Sequence, residues 1–388
     1  MDTRTPKRQI CLAISALCTL VVVVFAGCGG EASRSSGEAA EETQTEKGKT
    51  TEEATSRLSV RDAVGQMFVV GMDGTEPNYY VEKMVRERNV GGVLLLGHNL
   101  ESEEQTRALT GSLQRLAVET EPAIPLFVAV DYEGGEVGSA PWLRKQPSAA
   151  EVGGRADREE ARRIAEEIGR ELGRGGVNTN LAPVVDTGSE AAIGSRSYGD
   201  DPALVALIGA AFVEGSERAG VITSAKHFPN HGPTLEDSHT ARPVVDHSLQ
   251  TVLRSDLAPF RAAVEAGVPM VMVGHLVYPA LDPETPTSLS PVAIELLREE
   301  LGFDGVVVAD DLIMEGARRG GTTADAALRA VQAGVDLLII SGPPEDQAAA
   351  YHAVVAAVES GEIPRERIDA SVERIKNVKN RYPLYSGG

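Results

Sequence analysis

The chain has 388 residues, 42% hydrophobic and 24% charged, the balance of a folded globular protein rather than a disordered or fibrous one. Its formal net charge of −20 argues against a nucleic-acid partner and otherwise implies only solubility and self-repulsion. The three cysteines, Cys11, Cys18 and Cys28, all precede the folded part, so no disulfide is expected there and the core must supply the stability.

In chain order, the first element reads as a secretory signal. Arg4, Lys7 and Arg8 precede an apolar stretch over residues 10–26. It closes with Phe25-Ala26-Gly27-Cys28, which resembles the bacterial lipobox, in which the cysteine is acylated after cleavage. The expectation is a signal peptide over 1–27, lipidation at Cys28, and an extracytoplasmic protein held to the membrane by its lipid. An uncleaved membrane anchor is the alternative, because the apolar run approaches spanning length. Residues 29–57 are rich in Gly, Ser, Thr, Glu and Ala and carry no aromatic or β-branched apolar side chain. Such a segment cannot bury enough surface to offset its ordering entropy, so 28–57 reads as the lipidated cysteine and a disordered tether.

From residue 58 on, short apolar runs alternate with helical patterns. The runs fall at 66–71, 90–97, 125–131, 177–186, 220–227, 269–275, 305–310 and 335–341. Segments rich in Ala, Glu, Arg and Leu lie between them, at 157–174, 203–219, 249–266 and 323–333, with a last one near 364–378. Continuous apolar strands alternating with helices imply a parallel sheet covered on both faces. Eight such units fit a (β/α)8 barrel, a single catalytic domain over 58–388; an open doubly wound sheet is the alternative.

In such a barrel the chemistry sits where the strands end. The third run ends in Asp131, the fourth in Asp186, the fifth in Lys226-His227, the sixth in His275 and the seventh in Asp310-Asp311. Capping explains any one of these; it explains the whole set less well. Neighbouring strand residues point to opposite faces, so only one of Asp310 and Asp311 is expected to enter the mouth, the other capping the next helix. Parity alone does not say which.

The densest stretch is Lys226-His227-Phe228-Pro229-Asn230-His231-Gly232, then four residues, then Asp237-Ser238-His239. Pro229, Gly232 and Pro233 exclude a helix here. In an extended segment Asp237 and His239 share a side, and a carboxylate beside an imidazole makes a proton donor and acceptor near neutral pH. A metal on His227, His231 and His239 is the competing reading. His227 and His231 flank Pro229, however, and are not the one-face helical pair of a zinc protease, so no metal and no cofactor is expected.

These residues resemble the single-domain β-N-acetylglucosaminidases of glycoside hydrolase family 3. Further matches are Val130-Asp131-Tyr132-Glu133-Gly134-Gly135, Leu181-Ala182-Pro183-Val184-Val185-Asp186, Ile193-Gly194-Ser195-Arg196-Ser197-Tyr198-Gly199 and the seventh strand through Met314. The resemblance implies a (β/α)8-type barrel that removes terminal β-GlcNAc from cell-wall-derived glycans. It implies Asp310 as nucleophile, His239 as acid/base with Asp237 as its partner, and Asp131, Arg196, Lys226 and His227 as sugar-binding residues. Two positions depart from the family pattern. Asn230 stands where Gly is usual, and Asn tolerates left-handed backbone angles best among the other residues. Glu136 stands where Arg is usual, reversing a charge expected near the sugar. A β-glucosidase or an inactive glycan-binding lipoprotein are the competing functions.

Overall fold

The computed structural model describes residues 57–138, 140–188 and 192–385. The expected signal segment, Cys28 and all of the tether but Arg57 lie outside the described residues. No helix among the described residues is long and apolar enough to cross a membrane.

Eight strands close a barrel: β1 Phe68–Gly71, β2 Gly92–Leu94, β3 Phe127–Val130, β4 Thr179–Asn180, β5 Ile222–Phe228, β6 Met270–Val273, β7 Val306–Ala309 and β8 Leu337–Ile340. Each pairs in parallel with the next, and β8 returns to β1, where Val69 stands opposite both Ile339 and Gly92. The barrel expected from the alternation of runs and helices is therefore the one found. Parallel strands covered on both faces need apolar residues at every position, and Val306, Val307 and Val308 are wholly buried. Burying a side chain of that kind contributes about 1.5–3 kcal/mol.

The helices follow their caps. Asp157 accepts the Glu159 and Glu160 N–H groups and starts helix Arg158–Arg174; Asp201 accepts Ala203 N and starts Pro202–Arg218. Helix Thr323–Ala333 begins with a capping box from Thr322 and Asp325 and stops at Gly334, whose φ is 116°.

Three expected elements differ. Gln66 belongs to helix Val60–Gln66 rather than to the first strand. The fourth strand is only two residues long. Side chains beside and within it extend the pairing: Asn178 Oδ1 accepts Val128 N at 2.8 Å and Asn180 Oδ1 accepts Tyr132 N at 3.0 Å. Asparagine carboxamides compete with backbone partners in this way. The helix expected over 249–266 is broken by a π turn at Val252–Asp256 before Leu257–Glu265 resumes. The turn buries the Asp256 carboxylate, which accepts from Asn230 Nδ2 at 2.9 Å and pairs with His247 Nδ1 at 2.9 Å.

Candidate active site

The strand ends converge on a cleft of about 410 Å³, lined among others by Asp131, Glu133, Arg196, Lys226, His227, His231, Asp237, His239, Asp310 and Asp311. The expected catalytic residues Asp310, His239 and Asp237 and the expected sugar-binding residues Asp131, Arg196, Lys226 and His227 therefore meet in one cavity, whereas the strand-end residues Asp186 and His275 do not line it. Lys226 and His227 both reach it although they are neighbours on β5. The β5–β6 register shifts between Ala225 and Phe228, and an irregularity of this kind re-aims side chains.

At one wall two cations and two carboxylates interlock. Lys226 Nζ lies 2.6 Å from Asp131 and 2.8 Å from Glu133. Arg196 grips Glu133 through Nε and Nη2, at 2.7 and 2.8 Å, the bidentate fork that fits a carboxylate. Burial by itself would raise the Glu133 carboxyl, but Lys226 and Arg196 hold it down at about 2. Burial likewise opposes the charge on Lys226, and Asp131 and Glu133 outweigh it.

Behind His227 stands Asp186, wholly buried. It accepts His227 Nδ1 at 2.7 Å, His227 N at 3.2 Å and His231 N at 2.7 Å. Its carboxyl lies below its usual range: burial raises it, and the two histidines overcome that. The Asp186 bond orients the His227 ring. His231 holds the loop together, with Nε2 3.0 Å from Ser238 Oγ and Nδ1 3.1 Å from Thr234 Oγ1. Gly232 permits this course, because a Cβ there would meet Thr187 O at 1.9 Å.

Asp237 and His239 pair at 2.7 Å through Oδ1 and Nδ1. The expected extended segment is not what joins them. The chain turns there, with Asp237 Oδ1 also accepting His239 N at 2.9 Å and Thr240 N and Ala241 N both bonding Asp237 O. An aspartate bonding the backbone two residues on is a turn-former's habit.

The two aspartates after β7 both line the cleft, against the expectation that one would cap a helix. The helix that follows, Glu315–Arg318, has no side-chain cap. Asp311 is instead tied across to the end of β8: it accepts Ser341 N and Ile313 N, each at 3.2 Å, and a short bond from Ser341 Oγ. Asp310 accepts only Asp311 N, at 2.8 Å, among the described residues. Burial raises both carboxyls, with opposite results. His227, His275 and the Asp311 N–H bring Asp310 down to about 2, whereas Asp311 stays up at about 6 despite its Ser341 bonds. His275 lies behind the pair, wholly buried, its ring bonding Ser288 Oγ at 2.7 Å and Asp311 O at 3.0 Å.

The two departures from the family pattern resolve differently than expected. Asn230 is not among the residues with positive φ. Its carboxamide knits the loop, accepting Thr187 N at 3.0 Å and Gly232 N at 3.1 Å and donating to Thr187 Oγ1 at 2.7 Å. Glu136 is exposed at the turn between the short strands Tyr132–Gly134 and Val137–Gly138 and does not line the cleft.

Sequence reasoning missed Glu133 and the loop-binding role of His231. Glu133 stands two residues past Asp131, so alternation along an extended stretch could have found it. Nothing local marks His231, whose partners Thr234 and Ser238 are brought to it by the loop. Among the described residues no group of three or more His, Cys, Asp or Glu side chains is arranged to hold a metal ion.

Residues 59–378 match the family described as the glycosyl hydrolase family 3 N terminal domain. Beta-hexosaminidase A of Pseudoalteromonas piscicida is 33% identical over 79% of this chain, which spans only 56% of that protein. Beta-hexosaminidase LpqI of Mycobacterium tuberculosis is 35% identical, with 84% of each chain covered. Among solved structures, a family 3 beta-N-acetylglucosaminidase from Paenibacillus superposes with a TM-score of 0.84 at 40% identity, over 86% of this chain and 64% of that one. The beta-N-acetylhexosaminidase of Beutenbergia cavernae gives 0.78 at 32% identity, over 84% and 99%.

Proposed function

The chain belongs to glycoside hydrolase family 3, and from that premise we propose that it is a retaining exo-β-N-acetylglucosaminidase. The observation that carries this reading is the pairing, on one cleft, of an ionised carboxylate with few bonds and a carboxylate-backed imidazole. A nucleophile needs a lone pair that is not already engaged. Asp310 meets that need, with one accepted hydrogen bond and a lowered carboxyl; Asp311, saturated by Ser341 and Ile313, does not.

Asp310 attacks the anomeric carbon while His239 protonates the departing glycosidic oxygen. The sugar is then carried by Asp310 until water, deprotonated by His239, releases it. The usual retaining enzyme divides these roles between two carboxylates; here the second is a His–Asp pair. The Asp237 bond to Nδ1 leaves Nε2 of His239 for the proton transfer. Asp131, Lys226, Arg196 and His227 bind the sugar hydroxyls or the acetamide.

We place the enzyme outside the cytoplasm, held to the membrane by a lipid on Cys28 and acting on cell-wall-derived glycans. The signal pattern and the tether support this.

The test uses an activated aryl β-N-acetylglucosaminide. Asp310→Ala should not turn over any substrate. His239→Ala should release one equivalent of aryl alcohol and stall, because an activated leaving group needs little protonation. Intact mass spectrometry should then find the sugar on Asp310. An adduct on another residue, or full activity of Asp310→Ala, contradicts the mechanism. Absence of any burst in the unaltered enzyme favours a binding protein.

A further inference from the structure

The Asp237 and His239 side chains are 57% and 68% exposed, so surrounding packing does not fix them. Their place is set by the two sides of the loop that carries them. On the far side Gly316 N donates to Ser238 O at 3.0 Å and Glu315 N to His239 O at 3.3 Å. The near side is the root of the loop, residues 229–232, just past β5.

That root lies between two buried carboxylates. Asp186 holds it from one side, accepting His231 N at 2.7 Å. Asp256 holds it from the other, accepting Asn230 Nδ2 at 2.9 Å. Asn230 is itself buried, and every hydrogen-bonding position of its carboxamide is used. Nδ2 donates to Thr187 Oγ1 and Asp256 Oδ1, and Oδ1 accepts Thr187 N and Gly232 N. Its backbone carbonyl accepts the hydroxyl of the buried Tyr278. The other oxygen of Asp256 faces His247 Nδ1 at 2.9 Å. Asp256 closes the π turn Val252–Asp256, and single π turns within α-helices are frequent at functional sites.

Asn230, Asp256 and His247 do not line the cleft. What they touch leads to His239. Asn230 precedes His231, His231 Nε2 lies 3.0 Å from Ser238 Oγ, and Ser238 precedes His239. Upstream, Lys226 and His227 have support of their own: the β5–β6 pairing brackets them at Ala225 and Phe228, and Gly274 N donates to Phe228 O at 3.0 Å. Loss of the Asn230–Asp256 bond therefore reaches the acid/base side of the loop before the sugar-binding side.

We infer that Asn230 and Asp256 are positioning residues for proton transfer: their bond, backed by His247, fixes the root of the loop so that His239 meets the leaving oxygen. The inference rests on the hydrolase reading of the cleft. A proton donor must lie within hydrogen-bond reach of its target, and a misplacement of about 1 Å can cost about a hundredfold in rate.

The experiment measures kcat/KM for two aryl β-N-acetylglucosaminides in the full chain and its variants. A dinitrophenyl leaving group departs with little protonation, and a phenyl one needs it. In Asn230→Ala the phenyl-to-dinitrophenyl ratio should fall about tenfold, a part of the roughly 10²–10⁴-fold that a positioned proton donor supplies. Asp256→Leu should lower the ratio in the same way. The double variant Asn230→Ala/Asp256→Leu should lower it no further than the worse single one, because both remove the same bond. Asp256→Asn keeps an oxygen to accept Asn230 Nδ2 and should recover most of the parent ratio. The ratio is internal to each variant, so loss of folded protein lowers both substrates alike and cannot imitate the effect. Ala also suits the ordinary φ of residue 230, so Asn230→Ala serves as the test even where Asp256→Leu fails to fold. An unchanged ratio in Asn230→Ala, or effects that simply add in the double variant, overturn this inference and leave the hydrolase reading standing. No hydrolysis of either glycoside by the unaltered enzyme overturns the hydrolase reading and this inference with it.

Discussion

Glu133 shows how much one side chain can organise. Lys226 and Arg196 are both committed to it, so it sets where two cations stand in the cleft. Glu133→Gln should keep the hydrogen-bonding shape but lose the charge. Its carboxyl lies at about 2 in the folded protein against an ordinary value of 4.5. The unfolded chain therefore binds the proton first as pH falls, and the stabilisation is present above pH 4.5 and lost towards pH 2. The shift corresponds to roughly 3 kcal/mol. Chemical unfolding between pH 5 and about 2 should show a shallower decline in Glu133→Gln than in the parent. An identical decline would mean that Glu133 is not held ionised. In the same variant kcat/KM should fall by about tenfold or more, because hydrogen bonds to charged groups contribute about 1.5–3 kcal/mol.

At the scale of elements, the barrel floor depends on the last helix, Arg365–Arg381. Its Lys379 is buried beneath β1 to β3. Its Nζ donates to Gln66 Oε1 and Gly91 O, each at 2.9 Å, and lies 4.7 Å from the centre of the Phe127 ring. Burial pushes the ammonium down to about 7, from 10.5. Between those values the unfolded chain holds the proton and the folded one does not, so stability should rise with pH across that window. Lys379→Met removes the titrating group and keeps most of the volume. The difference in Tm between pH 7 and pH 9 should be smaller in Lys379→Met than in the parent, with thermal unfolding followed by circular dichroism. An equal difference would show that the two acceptors and the ring keep Lys379 charged throughout. The end of β7 obeys the same logic: Asp311 is tied to Ser341, the residue just past β8, and its backbone N–H is what holds Asp310.

At the scale of the whole molecule, the proposed anchor and the barrel have separate tasks. Cys28→Ala should release the protein from membranes or block its processing, measured by fractionation and by the size of the product. A variant that stays in the membrane fraction at the normal processed size contradicts the lipid anchor. Activity on a soluble aryl glycoside should be unaffected, since Cys28 lies far along the chain from every cleft residue.

The barrel was legible because its cause is local and repeated. Eight apolar runs, each bounded by helix formers and caps, state their period in the sequence, and a covered parallel sheet follows from that period. The polar strand ends were legible for the same reason: a charge closing an apolar run, as in Asp131, Lys226 or Asp310, stands out against it. What the sequence could not state was which partner each polar group would meet. Parity allowed one of Asp310 and Asp311 into the cleft, whereas the structure admits both and tells them apart by Ser341, a residue 30 positions on. Asn230 suggested a left-handed turn, and it became instead a bridge between Thr187 and Asp256. Periodicity is a property of neighbours along the chain. Hydrogen bonds and ionisation are properties of neighbours in space, and only the closed barrel brings Asp131, Glu133, Arg196 and Lys226 to one wall.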